Sequence, residues 1–208
     1  MARRTKAIPT ATDSPNTIKE LSSTPFLRQF IDSQNILIEK MKLECVKDES
    51  KSFPDRTIKD WGSLSYWYAD VMLDFNTYKV IESDGEVGMC YKQAQHFTYE
   101  YENLTYFEGY AVTENLPIPI FHAWCSDIKE KHVVDPTWYG QKEHLLPSGC
   151  IGIAFSNKFL AKYSLLSGTY GVLDTLWMHR EVTHSYKMKD MLDMRWYSVD
   201  NTRNRAKL

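Results

Sequence analysis

The spacing of apolar residues predicts three helices in the first half of the chain. Apolar side chains recur at intervals of three or four residues in 24–41, 57–81 and 90–104, which is the period of a helix with one buried face. Thr24 can cap the first helix, and Pro25 suits its first turn, where a missing N–H costs nothing. The end of the second range, "TYKVI", also fits a short strand.

The period changes after the third helix. Runs of strand-forming residues occupy 105–112, 117–127 and 131–138, separated by turn-like segments, and this pattern favours consecutive antiparallel strands. Helical patterns return in 157–166 and 172–182. We therefore predict an α+β fold in which N-terminal helices precede a short antiparallel sheet packed on the third helix, and C-terminal helices follow.

The two ends of the chain differ in composition. Residues 1–23 are rich in Ser, Thr and Pro and carry Arg3, Arg4 and Lys6, which is typical of a flexible basic arm. Residues 24–208 are long enough to bury one substantial core. We expect them to form a single domain with a helical C-terminal extension.

Charge and hydropathy narrow the choice of partners. The net charge is −2, whereas a protein that coats nucleic acid carries a basic excess, so we expect no such partner apart from contacts of the basic arm. No apolar run approaches the ~20 residues that cross a bilayer, and no apolar secretory signal begins the chain. We expect a cytoplasmic protein without membrane contact; the final "AKL" is similar to the peroxisomal address S-K-L, but a tripeptide carries little information.

One of four widely spaced cysteines stands out. The absence of a C-x-x-C pair argues against a zinc knuckle or a redox motif, and we expect Cys45, Cys125 and Cys150 to be structural. Cys90 follows Gly88 at the predicted start of a helix, where orphan N–H groups and the helix dipole favour an anion. Since the thiolate is the nucleophilic form of cysteine, Cys90 is the candidate nucleophile.

A histidine and an aspartate follow on the predicted strands. Because side chains alternate along a strand, His122 and Trp124 point to one face and Cys125 to the other. If the next strand is adjacent, Asp135 lies beside His122 and orients its ring toward the thiol. His132 directly precedes that strand, but the same alternation turns it away from Asp135. The other histidines are expected to be surface or satisfied residues: His96, His144, His179 and His184.

Five pieces occur in order within 86–155: "GMCYKQA", "YFEGYAV", "PIFHAW", "VVDPTW" and "GCIGIAF". In this series the chain resembles the transglutaminase-like branch of the papain-like cysteine enzymes, and more closely small uncharacterised bacterial and phage proteins. The resemblance implies a transglutaminase-like core and a catalytic triad of Cys90, His122 and Asp135.

The other predicted roles at the site concern the oxyanion, the pocket walls and one carboxylate. No Gln lies between Gln34 and Cys90, so the side-chain oxyanion donor of papain-type enzymes is missing, and backbone N–H groups near Cys90 and Tyr91 would replace it. Tyr91 and Trp124 are candidate walls of a substrate pocket, although Trp124 fits a core position equally well. Glu108, a carboxylate within a predicted strand, is either structural or lines the cleft and binds a substrate amine.

These features predict a cysteine-dependent acyl-transfer enzyme that acts on a peptide, a protein or a small amide. Water as the acceptor makes it a peptidase or amidase, and an amine as the acceptor makes it a transglutaminase-type transferase. Neither a metal nor an organic cofactor is required. The alternative is a catalytically inactive transglutaminase-like module, including a phage-encoded one, that binds a partner through its aromatic cleft and basic arm.

Overall fold

The computed structural model describes residues 6, 8, 18–40, 48–62, 64–81, 83, 85–86, 88–114, 116–138, 146–176 and 178–197. The helices are α1 Thr24–Lys40, α2 Leu64–Val71, α3 Cys90–Glu100, α4 Asn157–Ser167, α5 Arg180–Thr183 and α6 Met188–Met191. The strands are β1 Ile18–Glu20, β2 Leu73–Phe75, β3 Thr77–Lys79, β4 Leu104–Thr113, β5 Leu116–Asp127, β6 Val133–Val134 and β7 Pro147–Phe155. Short 3-10 helices span Phe53–Asp55, Ile58–Trp61 and Met194–Trp196.

The described strands form one seven-stranded sheet in the order β1-β3-β6-β5-β4-β7-β2. The β3–β6 pair is parallel, and the other neighbours in this order are antiparallel. The predicted α+β class is confirmed. The sheet is larger than the short antiparallel one predicted, because β2, β3 and β7 extend it on both sides of the β4–β5 hairpin.

The sheet curls back on itself. Strands β2 and β3 lie near opposite ends of the strand order, yet a single residue, Asn76, separates them along the chain. Leu21, which follows β1, donates its N–H to the Asn76 carbonyl at 2.7 Å. One residue cannot bridge a flat sheet of this width, in which neighbouring strands are ~4.8 Å apart. The sheet is therefore curled, and Phe75 of β2 and Phe107 of β4 meet Trp124 of β5 on its inner side.

Glycines make room for the largest ring on that inner side. Trp124 of β5 is fully buried, and its indole extends as far as Gly152 of β7, where an added Cβ would lie 2.6 Å from the ring. Gly109 of β4 lies between His122 and Gly152 in the ladders. Phe107 stacks on Trp124 with ring centroids 6.1 Å apart. An added Cβ at Gly109 would lie 2.0 Å from the Ile151 carbonyl oxygen of β7. Glycine in two adjacent strands is therefore required, at Gly152 by the ring and at Gly109 by the neighbouring backbone.

The third helix, α3, packs on the other side of the sheet. The Cys125 thiol of β5 donates a hydrogen bond to the Ala94 carbonyl of α3 at 3.2 Å. Helix α4 follows β7 directly, and the Ser156 hydroxyl caps it by accepting the N–H of Phe159 at 3.3 Å. The cysteine helix and the sheet are thus in direct contact, as predicted.

Several predicted boundaries are wrong. The second predicted helix gives way at Leu73 to β2, because its aromatic residues pack in the sheet, and the third ends at Glu100 so that Leu104 can begin β4. The helix predicted at 172–182 consists mostly of turns, with only α5 near its end. Strand β1 lies within the predicted flexible arm, where its ladder with β3 orders it; most of that arm lies outside the described residues.

Among the residues that the structure describes, no helix combines the length and apolar character needed to cross a membrane.

Candidate active site

Cys90 is the first residue of α3. Gly88 has a φ of +84°, a left-handed conformation that glycine adopts without steric cost, and it turns the chain into the helix. The first hydrogen bond of the helix runs from the Gln93 N–H to the Met89 carbonyl at 2.9 Å, so the N–H groups of Cys90 and Tyr91 have no acceptor within the helix. Cys90 is partly buried and is not in a disulfide. Its thiol therefore lies at a helix end that favours negative charge.

His122 of β5 and Asp135, which directly follows β6, form a buried pair. Nε2 of His122 shares a hydrogen bond with Oδ2 of Asp135, and the two residues are only 7% and 5% exposed. The other carboxylate oxygen, Oδ1, accepts the backbone N–H and the hydroxyl of Thr137, each at 2.7 Å. Both oxygens of Asp135 are thus occupied, which fixes the carboxylate and, through it, the imidazole ring.

Cys90 completes the group. Its side chain is close enough to His122 to help raise the pKa of the ring, and because Asp135 holds Nε2, Nδ1 is the ring nitrogen left for the thiol. Burial alone would lower the pKa of His122, but the charge and hydrogen bond of Asp135, with a further contribution from Cys90, outweigh burial and raise it to about 10. The ring is therefore an imidazolium at neutral pH, which is the form that stabilises a neighbouring thiolate.

Aromatic rings fix the plane of the imidazole. Trp138 stacks on His122 with ring centroids 4.2 Å apart and an angle of 21° between the planes. Trp124 lies 6.4 Å from the His122 ring at 20°. The sequence pattern does not indicate a role for Thr137 or Trp138, although both follow Asp135 in "VVDPTW". The signal for Thr137 was its spacing from Asp135, since an Asp side chain commonly accepts the backbone N–H two residues on.

Glu108 does not face an open cleft. It is completely buried and accepts the Tyr106 hydroxyl at 2.6 Å and the N–H groups of Val172 and Leu173 at 2.7 and 2.8 Å. Burial raises the pKa of Glu108 to about 7 against the opposing effect of these hydrogen bonds. The prediction that Glu108 could bind a substrate amine in the cleft is corrected, because its lone pairs are directed to the loop between α4 and α5.

The two proposed pocket walls lie in different surroundings. Trp124 is fully buried on the inner side of the sheet, so of the two readings left open for it the structure favours the core position. Tyr91 is partly buried, and its ring lies against Gly171, where an added Cβ would be 3.4 Å away. Burial, followed by the charge of Glu108, raises the pKa of Tyr91. Tyr91 thus contacts the same loop that Glu108 holds.

The remaining candidates lie apart from this group. Nδ1 of His132 shares a hydrogen bond with the Thr77 hydroxyl at 2.6 Å. Cys125 and Cys150 are buried and free, and burial raises the pKa of both thiols. Of the other histidines, His96 contacts the Tyr170 ring, and burial lowers the pKa of His184. Cys45 and His144 lie outside the described residues.

Within the described ranges, no group of three or more His, Cys, Asp or Glu side chains is arranged to hold a metal ion.

Comparisons of this chain with protein-family models, with curated proteins and with solved structures find no match.

Proposed function

We propose that the protein is a cysteine-dependent acyl-transfer enzyme built on a transglutaminase-like core, in which Cys90 is the nucleophile, His122 the acid and base, and Asp135 the residue that orients the ring. The observation that carries the proposal is the His122 ring that Asp135 and Thr137 fix by hydrogen bonds and that Cys90 adjoins at the start of α3. A nucleophile, a base within reach and a third group that orients the base are the components of covalent acyl transfer.

The reaction takes place in two halves. The Cys90 sulfur attacks the carbonyl carbon of an amide or ester, a C–S bond forms, and the carbonyl electron pair moves onto oxygen. His122 then gives its proton to the leaving nitrogen or oxygen as that bond breaks, which leaves a thioester. Neutral His122 next takes a proton from water or an amine as it attacks the thioester, and sulfur leaves as the thiolate.

The start of α3 supports the proposed stabilisation of the oxyanion. The N–H groups of Cys90 and Tyr91 precede the first hydrogen bond of the helix, so they are available to an oxyanion that forms beside the sulfur. Removing one such donor typically costs ~100-fold or more in rate. No cofactor is needed for either half of the reaction. Water as the acceptor gives hydrolysis of a peptide, a protein or a small amide, and an amine gives transfer.

Burial of the His–Asp pair favours the second candidate, an inactive module that kept the pair for stability. His122 and Asp135 are 7% and 5% exposed, and buried ionic pairs often have a purely structural role. Such a module would bind a partner without forming a covalent intermediate, so the two candidates differ in whether Cys90 takes up an acyl group.

Acylation by p-nitrophenyl acetate separates them. The proposed function predicts a burst of p-nitrophenol and an acetyl group on Cys90, located by mass spectrometry of the quenched protein; Cys90→Ser abolishes both and His122→Ala slows the burst. His132→Ala is the matched control, because it removes an imidazole that directly precedes β6 and bonds to Thr77 of β3 instead of to the candidate site. It should leave the burst unchanged. A protein that releases p-nitrophenol at the same rate with and without Cys90 is not this enzyme.

A further inference from the structure

A cavity of about 390 Å³ lies between the 3-10 helix Ile58–Trp61, the start of α2, and α5 with the residue that follows it. It is lined by Ile58, Lys59, Gly62, Leu64, Arg180 and His184. Pockets that bind small molecules typically have volumes of about 300–1,000 Å³. The cavity is thus large enough for a small organic molecule, and its lining contains none of the candidate catalytic residues.

Backbone contacts join the two walls of this cavity. Thr57 and Lys187 form an isolated β-bridge, and the Met188 N–H donates to the Arg56 carbonyl at 2.8 Å. These contacts connect the chain just before the 3-10 helix with the chain a few residues after α5. The two walls are therefore held next to each other without the help of a ligand.

Three basic side chains line the cavity: Lys59 of the 3-10 helix, Arg180 at the start of α5, and His184. The His184 N–H donates to the Arg180 carbonyl at 2.8 Å, and residues four apart in a helical turn have neighbouring side chains. Nε2 of His184 is buried and has no hydrogen-bond partner among the described residues. A buried nitrogen without a partner is costly, and a ligand oxygen that accepted a hydrogen bond from this ring would offset that cost.

The carboxylates next to these cations in sequence have other partners. Asp60, the neighbour of Lys59, pairs with Lys51 at 2.7 Å. Glu181, the neighbour of Arg180, pairs at 3.8 Å with a histidine that is not part of the lining. Within the part of the chain that the structure describes, Lys59 and Arg180 form no ion pair. The lining therefore carries positive charge that no described carboxylate neutralises.

The same two cations act on the imidazole. Burial, followed by the charges of Lys59 and Arg180, lowers the pKa of His184. The ring is therefore neutral at pH 7 when the cavity holds no anion. An anion bound between the cations would oppose their effect and favour the imidazolium form, in which both ring nitrogens donate hydrogen bonds.

We propose that this cavity binds a small organic molecule that carries a phosphate group. Arg180 and Lys59 bind the phosphate oxygens, the first through paired N–H groups and the second as a point charge, and His184 donates a further hydrogen bond. A phosphate monoester has a charge of about −1.5 to −2 at pH 7, which matches this set of groups better than the single charge of a carboxylate. Ile58, which is buried, and Leu64, which is half-buried, contact the organic part of the ligand.

Calorimetric titration of the full chain with phenyl phosphate tests the proposal. We expect saturable binding of one molecule per chain. Inorganic phosphate lacks the apolar group and benzoate carries less charge, so each should bind at least about 10-fold more weakly than phenyl phosphate. The absence of saturable binding, or an equal affinity for either comparison ligand, overturns the assignment.

Substitutions of the exposed cations locate the bound phosphate. Lys59 and Arg180 are exposed, so Lys59→Gln and Arg180→Gln should leave the fold intact. Each removes a charged donor, and we expect the Kd for phenyl phosphate to rise at least about 10-fold. Lys158→Gln is the matched control, since it removes the same charge from an exposed site on α4, and it should leave the Kd unchanged. If Lys158→Gln weakens binding as much as Lys59→Gln, net charge explains the effect and the cavity is not the site.

The imidazole of His184 gives a second readout inside the cavity. Its pKa can be followed by NMR, with the ring signal assigned through His184→Gln. Saturation with phenyl phosphate should raise this pKa, because the phosphate charge offsets the charges of Lys59 and Arg180. A His184 pKa that stays the same while phenyl phosphate binds would place the ligand elsewhere and overturn the assignment.

Discussion

Two buried carboxylates in this molecule, Glu108 and Asp135, differ in the kind of group that donates hydrogen bonds to them. Glu108 alternates along β4 with Gly109, which pairs with His122, so Glu108 and His122 lie on opposite faces of the sheet. Glu108 accepts only groups that do not titrate near neutral pH, two backbone N–H groups and a tyrosine hydroxyl. Asp135 accepts an imidazole that also contacts a free thiol. Both carboxylates are buried. Glu108 is a structural group and Asp135 a candidate catalytic one because only the partner of Asp135, the His122 ring, can transfer a proton near neutral pH.

The comparison predicts its largest effect at Asp135. Asp135→Asn removes the negative charge that holds the ring as an imidazolium, and changes of this kind cost orders of magnitude in triad enzymes. We expect acylation of Cys90 by p-nitrophenyl acetate to slow by about 100-fold or more. Asp74→Asn, which breaks the exposed ion pair with Arg28, is the control and should leave the rate unchanged.

Glu108→Ala should affect stability instead. The substitution leaves the N–H groups of Val172 and Leu173 and the Tyr106 hydroxyl without their acceptor, and each unsatisfied buried group costs about 1–3 kcal/mol. We expect a loss of about 3 kcal/mol or more in the free energy of unfolding, measured by urea denaturation, while the folded fraction is still acylated at Cys90. Glu100→Ala, at an exposed site, should change stability by less than about 0.5 kcal/mol. A stable Glu108→Ala protein that has lost acylation would reverse the roles given to the two carboxylates.

The free energy of unfolding should decline with rising pH in two intervals, one for each of the buried groups Glu108 and His122. The pKa of Glu108 is raised in the folded protein from 4.5 to about 7, so the folded state binds the proton more tightly and stability falls as pH rises through that interval. The pKa of His122 is raised from 6.5 to about 10, so its contribution is complete below 6.5 and is lost as pH rises toward 10. Each group can contribute a slope of at most about 1.4 kcal/mol per pH unit.

Substitutions show which residue causes the decline in stability in each pH interval. Glu108→Gln should flatten the decline in stability between pH 4.5 and 7, and His122→Gln should flatten the decline between pH 6.5 and 10. Chemical denaturation at intervals across this range measures both. If Glu108→Gln instead flattened the decline in stability between pH 6.5 and 10, Glu108 and His122 would titrate as a coupled pair. Their assignment to different roles would then not hold.

The smallest effect is expected at Thr137. Thr137→Val removes the hydroxyl that donates to Asp135 but keeps the backbone N–H, and one hydrogen bond to a charged group contributes about 1.5–3 kcal/mol. Because the carboxylate keeps its other partners, we expect acylation to slow by about 3- to 10-fold. Thr77→Val is a matched control, since it removes the equivalent hydroxyl from His132, and it should not change acylation.

Sequence alone predicted the parts of the site that depend on local rules. The start of α3 at Cys90 follows from the glycine that precedes it, and the alternation along β5 separates His122 from Cys125. Those rules need only neighbouring residues, and the structure places Cys90, His122 and Asp135 together. Their catalytic role remains a prediction that the proposed experiments test.

Long-range partners could not be predicted in this way. Glu108 bonds to Val172 and Leu173, which lie 64 and 65 positions along the chain, and nothing in the segment around Glu108 indicates them. Strand β7 was missed because Gly149 and Gly152 weaken its strand pattern; Gly152 is required by the Trp124 ring that lies against it. Packing on the inner side of the sheet therefore explains why β7 contains a glycine that local strand preferences disfavour.

The rate of Cys90 alkylation by iodoacetamide at pH 7 tests the central claim most directly. Mass spectrometry should show that the wild type is labelled at least about 10-fold faster than His122→Gln, because His122 activates the thiol as the neighbouring base. His132→Ala is the control and should be labelled at the wild-type rate. Equal rates in the wild type and in His122→Gln would contradict the account.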